Sequence, residues 1–344
     1  MREVLFSEIV GRKTVKNIYD RIGLYIKSLK KSMVQISIII SYYYRDTLVS
    51  ETLSLLSDQS LKNKINIEIF IIDSNTNSAS LNPLVATVSH ELCSIRTINT
   101  SNNLSAKRNA GINNANGSYL IFLDDDCIPS ANFLSDFMHF KFISSCICCR
   151  VLFPQPTNSY QTFRKQKEIR PHKSTAILKK NNYAPFLGVA MAFGIKKSLL
   201  LDYNLYFNES FNGYGWEDPD FFIRLTNFGI PIKHVTTSIQ HFESSSFSSY
   251  YKKQVSLGSW FPSFLSHQPL HAKSLKHFIL LRLSQSYPLL AIFGTFLKHP
   301  LKLIIQILNS QNINLYYVFE LYFYVAFIEG LLMEPQLMEP QIRR

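Results

Sequence analysis

Apolar runs alternate with amphipathic segments through the chain after residue 34. Short apolar runs are typical of buried strands, and apolar residues at helical spacing are typical of helices. The pattern predicts strands at Ile36–Ile40, Ile65–Ile72, Ser94–Asn99 and Tyr119–Leu123, and helices at Asp46–Leu56, Asn82–Glu91 and Leu104–Asn116. Gly117 then falls where a glycine commonly ends a helix. This alternation predicts an α/β fold with a Rossmann-like, mainly parallel central sheet flanked by helices.

Composition changes along the chain predict three parts. These are a basic amphipathic helix over residues 1–34, a main domain over residues 35–245 with halves 35–130 and 131–245, and a helical C-terminal extension over residues 246–344. For the first helix, contact with an anionic membrane and packing on the domain are both open.

Two later segments carry further expectations. Residues 150–190 are rich in Lys, Pro and Asn, which predicts an irregular loop region. Helices of the extension are expected from about residue 274 to 332. Leu315–Leu332 is strongly apolar but contains Glu320 and Glu329, which favours a buried or interfacial helix over a membrane-spanning one.

Composition limits the classes of partner and the compartment. A net charge of +12 and a pI near 9.4 favour polyanions such as nucleotides, acidic glycans or anionic lipid. The basic residues are dispersed and accompany no nucleic-acid motif, so no nucleic-acid partner is expected. The five cysteines, three of them within residues 146–149, do not resemble a disulfide framework. Together with the absence of a signal-peptide pattern, they predict a cytoplasmic protein.

The first candidate site is a run of three carboxylates directly after an apolar strand. Asp124, Asp125 and Asp126 follow Leu120–Leu123, and the carboxyl ends of such strands are where open α/β sheets bind ligands. In an extended chain Asp124 and Asp126 share one face, and Asp125 points to the other. Two such ligands suit a divalent cation on a diphosphate. An acidic turn that caps the next helix is the alternative.

A second acidic segment follows two glycines and a tryptophan. Glu217 and Asp218 come directly after Trp216, and partial desolvation beside this ring would raise a carboxyl pKa toward that of a working base. Because a proline follows Asp218, this residue is also predicted to be the N-cap of a helix. Arg224 is expected to pair with Asp220 four residues earlier.

One histidine is a candidate metal ligand. His241 ends a predicted strand, and its neutral imidazole would complete the coordination of a cation at Asp126. His234, at the other end of that strand, is the alternative ligand. A purely structural histidine is also open.

These segments, in this order, resemble the family 2 glycosyltransferases of the GT-A fold. The resemblance covers residues 35–242. It rests on Ile36–Arg45, Ile71–Thr76, the Ala-Lys-Arg-Asn-Ala-Gly helix within Asn103–Gly117, the Asp124–Asp126 DxD motif, and Gly213–Leu225. The last segment is similar to the Gly-Trp-Glu-Asp segment of galactosyl- and chondroitin-type transferases.

The resemblance implies roles for individual residues. Asp218 would be the general base of an inverting transfer, and Glu217 would position the acceptor or the sugar. Asp126 and His241 would hold Mn²⁺ or Mg²⁺. The implied donor-binding residues are Asp73, Arg45, Lys107, Arg108, Asp124, Asp125 and Trp216, with Asp73 on the nucleobase and Asp124 on the ribose or sugar.

The resemblance also implies the reaction. It is transfer of a hexosyl or N-acetylhexosaminyl group from a nucleotide sugar, expected to be a UDP-sugar, to a hydroxyl of a glycan or lipid-linked acceptor in cell-surface polysaccharide or glycoconjugate synthesis. Peripheral contact with the inner face of the membrane is open. The alternatives are a metal-dependent nucleotidyltransferase and a catalytically inactive glycan-binding subunit. No glycine-rich phosphate loop follows the first strand, which counts against the nucleotidyltransferase.

Overall fold

A computed structural model describes most of the chain. The described residues are 34–74, 82–141, 143–173, 188–242, 246–311, 313 and 315–333. The helix predicted over residues 1–34 therefore lies outside the described residues, apart from Val34.

The centre of the fold is one mixed sheet. Its strands are β1 (Ile36–Ser41), β2 (Ile67–Asp73), β3 (Cys93–Asn99), β4 (Tyr119–Asp124), β5 (Cys127–Pro129), β6 (Cys146–Leu152), β7 (Ala192–Lys196) and β8 (Ile232–His241). Within the described residues the strand order is β3-β2-β1-β4-β7-β6-β8-β5. Strands β3, β2, β1 and β4 run parallel to one another, as do β6 and β8, whereas β7 and β5 are antiparallel to their neighbours. The predicted α/β fold with a mainly parallel sheet is confirmed.

Helices cover the sheet and form the C-terminal extension. They are α1 (Asp46–Asn63), α2 (Asn82–Val88), α3 (Leu104–Asn114), α4 (Phe133–Phe140), α5 (Ser159–Lys173), α6 (Lys197–Asp202), α7 (Glu217–Asn227), α8 (Phe247–His267), α9 (Pro269–Lys273), α10 (Lys276–Ser286), α11 (Pro288–Phe296), α12 (Lys298–Ser310) and α13 (Tyr316–Leu331).

Strand β1 shows why the central strands of the sheet are mostly apolar. Its even-numbered isoleucines, Ile36, Ile38 and Ile40, belong to one buried cluster, and Ile39 belongs to a second cluster. Successive strand side chains point to opposite faces, so the two clusters are the cores on the two faces of the sheet. A strand covered on both faces has no position for a solvated side chain, which explains why β1 is apolar apart from two buried serines, Ser37 and Ser41.

The strand order creates a crevice at the carboxyl end of β1. The chain passes from β1 to β2 and β3 on one side and returns to β4 on the other. In the sheet register, Ser41 at the end of β1 lies opposite both Ile72 of β2 and Asp124 of β4. Such a reversal of strand order is where open α/β sheets bind ligands.

Glycines allow helix α3 and the chain that follows it to pass close to β1. The predicted end of this helix is wrong. The helix ends at Asn114, and Ala115 at its C-cap is extended, so Gly117 does not occupy the C′ position. A Cβ at Gly117 would lie 2.6 Å from the Ser37 backbone nitrogen, so this glycine serves the close passage of the chain into β4. A Cβ at Gly111 would lie 2.4 Å from Ile39 Cγ2, so α3 packs against β1 through this position.

Gly111→Ala is expected to lower the free energy of unfolding by about 1–3 kcal/mol, since the added methyl overpacks this contact. Combined with Ile39→Ala, the loss should be smaller than the sum of the two single losses, because Ile39 supplies the clashing atoms. Gly294→Ala is the matched control, as a Cβ there meets nothing within 4 Å. Urea unfolding measures all four variants. Additive losses would show that Gly111 and Ile39 are not in contact.

Two sequence predictions about the second half of the chain are wrong. Residues 150–190 are not irregular throughout, because α5 occupies residues 159–173. The C-terminal helices begin at Phe247 and not near residue 274. Ser246 caps α8 by accepting a hydrogen bond from the Ser249 N–H, so a serine-rich stretch supplies a helix start.

The strongly apolar segment predicted at residues 315–332 forms α13, and its packing is tight. A Cβ at Gly330 would lie 1.9 Å from the Val255 carbonyl oxygen, and one at Gly258 would lie 2.0 Å from the Phe327 carbonyl oxygen. The glycines therefore bring the backbones of α8 and α13 into direct contact. The expectation of a buried helix is confirmed, since Phe319, Phe323 and Phe327 are almost fully enclosed.

Candidate active site

The first acidic run forms a turn, which changes how its carboxylates are arranged. Asp124 ends β4, and Asp125 and Asp126 lie in the turn before β5. Asp125 pairs with the Arg45 guanidinium and accepts a hydrogen bond from the Tyr43 N–H (2.5 Å). Asp126 lies 3.2 Å from the same guanidinium. The prediction that Asp124 and Asp126 share one face assumed an extended chain, and the turn at Asp125 and Asp126 removes that premise.

Burial at this turn changes the pKa values of its charged side chains. It raises the pKa of Asp125, although the Arg45 guanidinium and the Tyr43 N–H both favour its charged form. Arg45 itself has a raised pKa: burial acts against its charge, and the neighbouring carboxylates outweigh that effect. The turn thus places the Asp125 and Asp126 carboxylates around one guanidinium, that of Arg45.

Sheet register brings His241 to Asp126. Strands β5 and β8 are antiparallel, with Cys127 opposite His241. His241 Nε2 lies 3.4 Å from Asp126 Oδ1. Burial raises the pKa of Asp126, but the hydrogen bond and charge of His241, together with Arg45 and Lys253, lower it to about 2. Asp126 is therefore a carboxylate at neutral pH.

One group among the described residues has the composition and spacing of a metal site. Ligand atoms of Asp126, Cys127 and His241 lie within 4.8 Å of one another. Burial raises the pKa of the Cys127 thiol well above its usual value, which keeps the sulfur protonated. Asp126 offers a carboxylate oxygen and His241 an imidazole nitrogen, and the Cys127 sulfur lies beside them. His234, the alternative at the start of β8, is exposed and is not in this group.

Arg108 joins the two acidic segments. Its side chain is 2% exposed, and its Nη1 atom lies 2.6 Å from Asp218 Oδ1 and 3.8 Å from Glu217 Oε1. Its Nη2 atom lies 3.5 Å from Asp124 Oδ1. One buried guanidinium thus links the end of β4 to the start of α7. The family resemblance implied that Arg108 binds the donor, and no pattern in the sequence indicated a contact between Arg108 and Asp218.

Helix α3 places Arg108 through contacts at its N-cap and along its N-terminal half. Asn103 caps the helix by accepting a hydrogen bond from the Ala106 N–H (3.0 Å). Asn109 exchanges hydrogen bonds with the backbone of Phe207, at 2.8 and 2.9 Å. Lys107 donates from Nζ to the Tyr42 carbonyl at 2.6 Å. The Lys-Arg-Asn run therefore ties α3 to the exit of β1, to the acidic pair and to the chain before α7.

The acidic pair begins α7, but not as predicted. The helix starts at Glu217 with Trp216 at the N-cap, so Asp218 is not the cap. Instead Asp218 Oδ2 accepts a hydrogen bond from the Ala190 N–H at 3.0 Å, and Glu217 Oε2 accepts one from the Gly215 N–H at 2.8 Å. Carboxylates in the first turn are favoured by the helix dipole. The predicted Asp220–Arg224 ion pair is confirmed at 2.9 Å.

The two carboxylates of this pair differ in access. The Asp218 side chain is 19% exposed, whereas that of Glu217 is 4% exposed. A substrate hydroxyl can therefore reach Asp218 more readily.

Helix α8 holds the loop before the acidic pair. Trp216 is buried, stacks on Phe264 at 4.5 Å, and donates from its indole N–H to the Leu257 carbonyl at 2.7 Å. The Tyr214 N–H donates to the Ser256 hydroxyl at 2.9 Å. Gly215 has a φ of +105°, which glycine adopts without strain. In this structure the Trp216 ring thus packs against the C-terminal extension.

Asp73 and Lys253 are the remaining charged residues to be placed. Asp73 is buried at the end of β2, and its Oδ1 atom accepts a hydrogen bond from the Ser74 N–H at 2.6 Å. Lys253 on α8 was missed by sequence reasoning: it lies 5.2 Å from the Tyr214 ring centroid and contributes to lowering the pKa of Asp126. The basic pair at residues 252–253 was the available signal, but nothing near it in the sequence pointed to the acidic turn.

Comparison with known proteins gives one family match and several similar structures. The family model described as Glycosyl transferase family 2 matches residues 37–200, which include the acidic turn and Arg108 and end before Trp216. No curated protein matches the sequence.

The structural comparison gives low sequence identity. The crystal structure of S. aureus TarS 1–349 is similar with a TM-score of 0.49 and 13% identity over 86% of this chain and 90% of that chain. TarS 1–349 in complex with UDP-GlcNAc gives 0.48 and 13% over the same shares. A longer S. aureus TarS structure gives 0.47 and 14%, with 54% of its own chain covered.

Proposed function

We propose that this chain is a metal-dependent, inverting glycosyltransferase that moves a sugar from a nucleotide-sugar donor to a hydroxyl group. The family match over residues 37–200 supports transfer of a glycosyl group. The observation that carries the proposal is the buried Arg108 guanidinium, which joins Asp124 to Asp218 and so makes one site from two acidic segments. One segment then serves the leaving group, and the other serves the attacking hydroxyl.

The donor is assigned to the crevice at the ends of β1, β2 and β4. Asp73 lies at the end of β2, where its carboxylate would accept hydrogen bonds from the nucleobase. Asp124, 19% exposed, would contact the ribose or sugar. Arg45, with 29% of its side chain exposed, and Lys107, whose Nζ binds the Tyr42 carbonyl just after β1, would add positive charge near a diphosphate. A UDP-sugar carrying a hexosyl or N-acetylhexosaminyl group is the donor we propose.

Asp126 and His241 fit a divalent cation. One offers a carboxylate oxygen and the other an imidazole nitrogen on an adjoining strand. This mixed donor set suits Mn²⁺ better than Mg²⁺, which prefers oxygen ligands and keeps several waters. Such a cation would neutralise the charge that develops on the departing nucleoside diphosphate, so the site needs no protein acid for the leaving group.

Asp218 is the group that we assign to the attacking hydroxyl. It would accept the proton of this hydroxyl as the oxygen attacks the anomeric carbon from the face opposite the leaving group, which inverts the configuration. Arg108 and the Ala190 N–H orient the Asp218 carboxylate. Glu217, which is less exposed and is tied to Gly215, positions the loop and the substrate rather than taking the proton.

Among acceptors we propose a glycan or a lipid-linked hydroxyl, reached from the cytoplasm, in cell-surface polysaccharide or glycoconjugate synthesis. A nucleotidyltransferase would leave the carboxylate pair of α7 without a role. An inactive glycan-binding subunit would bind a nucleotide sugar weakly or not at all, which the following experiment tests.

The protein is expected to show a higher melting temperature with Mn²⁺ and at least one member of a panel of nucleotide sugars, and to hydrolyse or transfer that sugar. Asp126→Asn should weaken Mn²⁺-dependent donor binding by about 100-fold, because it removes the charged ligand. Asp58→Asn, which changes an exposed carboxylate on α1, is the matched control and should behave as wild type. If no donor is bound or turned over, the proposed function is wrong. If Asp126→Asn leaves donor binding unchanged, the proposed metal site is wrong, but the proposed transferase function is not contradicted.

A further inference from the structure

The C-terminal extension exposes an apolar surface. It is formed by α10, α11 and α12, and we refer to it as the α10–α12 surface. On α11 the exposed residues Leu289, Ile292, Phe293 and Phe296 recur at helical spacing, and Phe293 and Phe296 are 66% and 63% exposed. Leu303 and Ile307 extend this surface along α12. Large exposed apolar side chains on helices that contact each other indicate a contact surface.

The α10–α12 helices carry basic residues and no acidic ones. Residues 276–310 contain four lysines and arginines and no aspartate or glutamate. Two of the four, Lys276 and Lys298, pair with Glu320 and Glu329 of α13. Arg282 on α10 and Lys302 on α12 are exposed beside the apolar residues. Apolar and basic side chains on one face are the composition that binds an anionic lipid surface.

Like charges disfavour the other occupants. A two-fold dimer through this surface would bring the same basic residues of two copies together. Residues 1–33 carry eight lysines and arginines against three acidic residues, so their charge also opposes covering a basic surface. An anionic bilayer satisfies both the apolar and the basic groups.

The packing of α12 favours lying on a bilayer over crossing it. The stretch Ala291–Ser310 is long and apolar enough to cross a membrane, with a mean hydropathy of 1.3. However, Leu301 and Ile305 are buried in a cluster with Phe319 of α13. Lys298, at the start of α12, pairs with Glu329 of α13 at 3.0 Å. One face of α12 is thus held by the protein, and only the other face is available to lipid.

We propose that the α10–α12 surface docks this protein onto an anionic membrane, with α11 and α12 in the plane of the bilayer interface. The inference goes beyond the proposed function and does not depend on it. An enzyme held in this way would work beside membrane-bound acceptors, but docking itself requires no sugar transfer.

Flotation of the full chain with vesicles tests the proposal. The protein should float with vesicles of equal parts phosphatidylcholine and phosphatidylglycerol, and far less with phosphatidylcholine alone. Arg282→Gln with Lys302→Gln should lower the partition coefficient on anionic vesicles about thirtyfold, or about fivefold for each charge. Phe293→Ser with Phe296→Ser should lower it about tenfold or more, because less apolar area enters the interface.

Matched controls use exposed residues elsewhere. Leu61→Ser with Leu201→Ser and Lys62→Gln with Lys233→Gln remove equivalent side chains outside the surface and should float as wild type. Circular dichroism checks that each variant is folded. Three results would overturn the proposal: no flotation of the wild type, flotation that both surface variants retain, or a dimer in light scattering that the phenylalanine variant converts to monomer. If both surface variants still float and deletion of residues 1–33 abolishes flotation, the membrane contact would be assigned to residues 1–33.

Discussion

Replacing Asp218 with asparagine is expected to lower the rate of sugar transfer by about two to four orders of magnitude, the usual contribution of a general base. Asparagine has the same shape and can still accept a hydrogen bond from the Ala190 N–H, which is 3.0 Å away in the wild type. It cannot take a proton from the acceptor hydroxyl. Donor affinity should therefore remain close to that of the wild type, since we propose that Asp218 serves the acceptor and not the donor.

Calorimetric titration of the donor and a transfer assay measure the two effects separately. Glu217→Gln is the informative companion, because Glu217 is adjacent and also near Arg108. We expect it to lower transfer less than Asp218→Asn. If the Asp218 variant keeps full activity, or if Glu217→Gln is the more damaging change, the assignment of the base is wrong. The assignment of the donor crevice would stand in either case.

Arg108→Met is expected to lower the free energy of unfolding by about 3–5 kcal/mol, the usual cost of removing one partner from a buried ion pair. The methionine fills similar volume, but it leaves the Asp124, Glu217 and Asp218 carboxylates without their shared guanidinium. Urea unfolding measures the loss. Transfer should fall as well, because the two acidic segments are no longer held together.

Three variants show whether the loss comes from the bridge. Arg108→Lys keeps the charge but not the planar fork, so it should recover much of the stability and little of the activity. Arg45→Met is the comparison with the other guanidinium and should also cost stability, because its partners Asp125 and Asp126 are only 0% and 8% exposed. Arg108→Met combined with Asp218→Asn should cost less than the sum of the single changes. Additive costs would mean that the 2.6 Å contact contributes nothing of its own.

Much of the fold could be read from the sequence because local signals and the sheet agree. The four parallel strands lie within a few residues of the predicted positions, and the helices between them begin at the predicted residues, although α1 continues to Asn63, beyond its predicted end at Leu56. Strands buried on both faces leave continuous apolar runs that need no knowledge of the neighbours. The C-terminal half was less readable, since α8 is built from serines and aromatics whose helical state depends on contact with α13.

The candidate site shows the same division. Asp73 and the acidic run were found because each follows an apolar strand directly. The arrangement of Asp125 and Asp126 around Arg45 was not found, because a turn replaces the alternation of an extended chain. The position of Asp218 was also misjudged: the local Asp-Pro pattern indicated a cap, whereas its partner is Arg108.

The sequence by itself determined the α/β alternation, the two acidic segments and the family resemblance, which the family match supports over residues 37–200. These properties depend on residues close together in the chain. Only the tertiary structure decided that Arg108 bridges the two segments, that β5–β8 register sets His241 beside Asp126, and that α11 exposes most of its large apolar side chains whereas α13 buries most of its own. Each of these depends on which distant elements pack together, and a pattern of polarity along one segment does not contain that information.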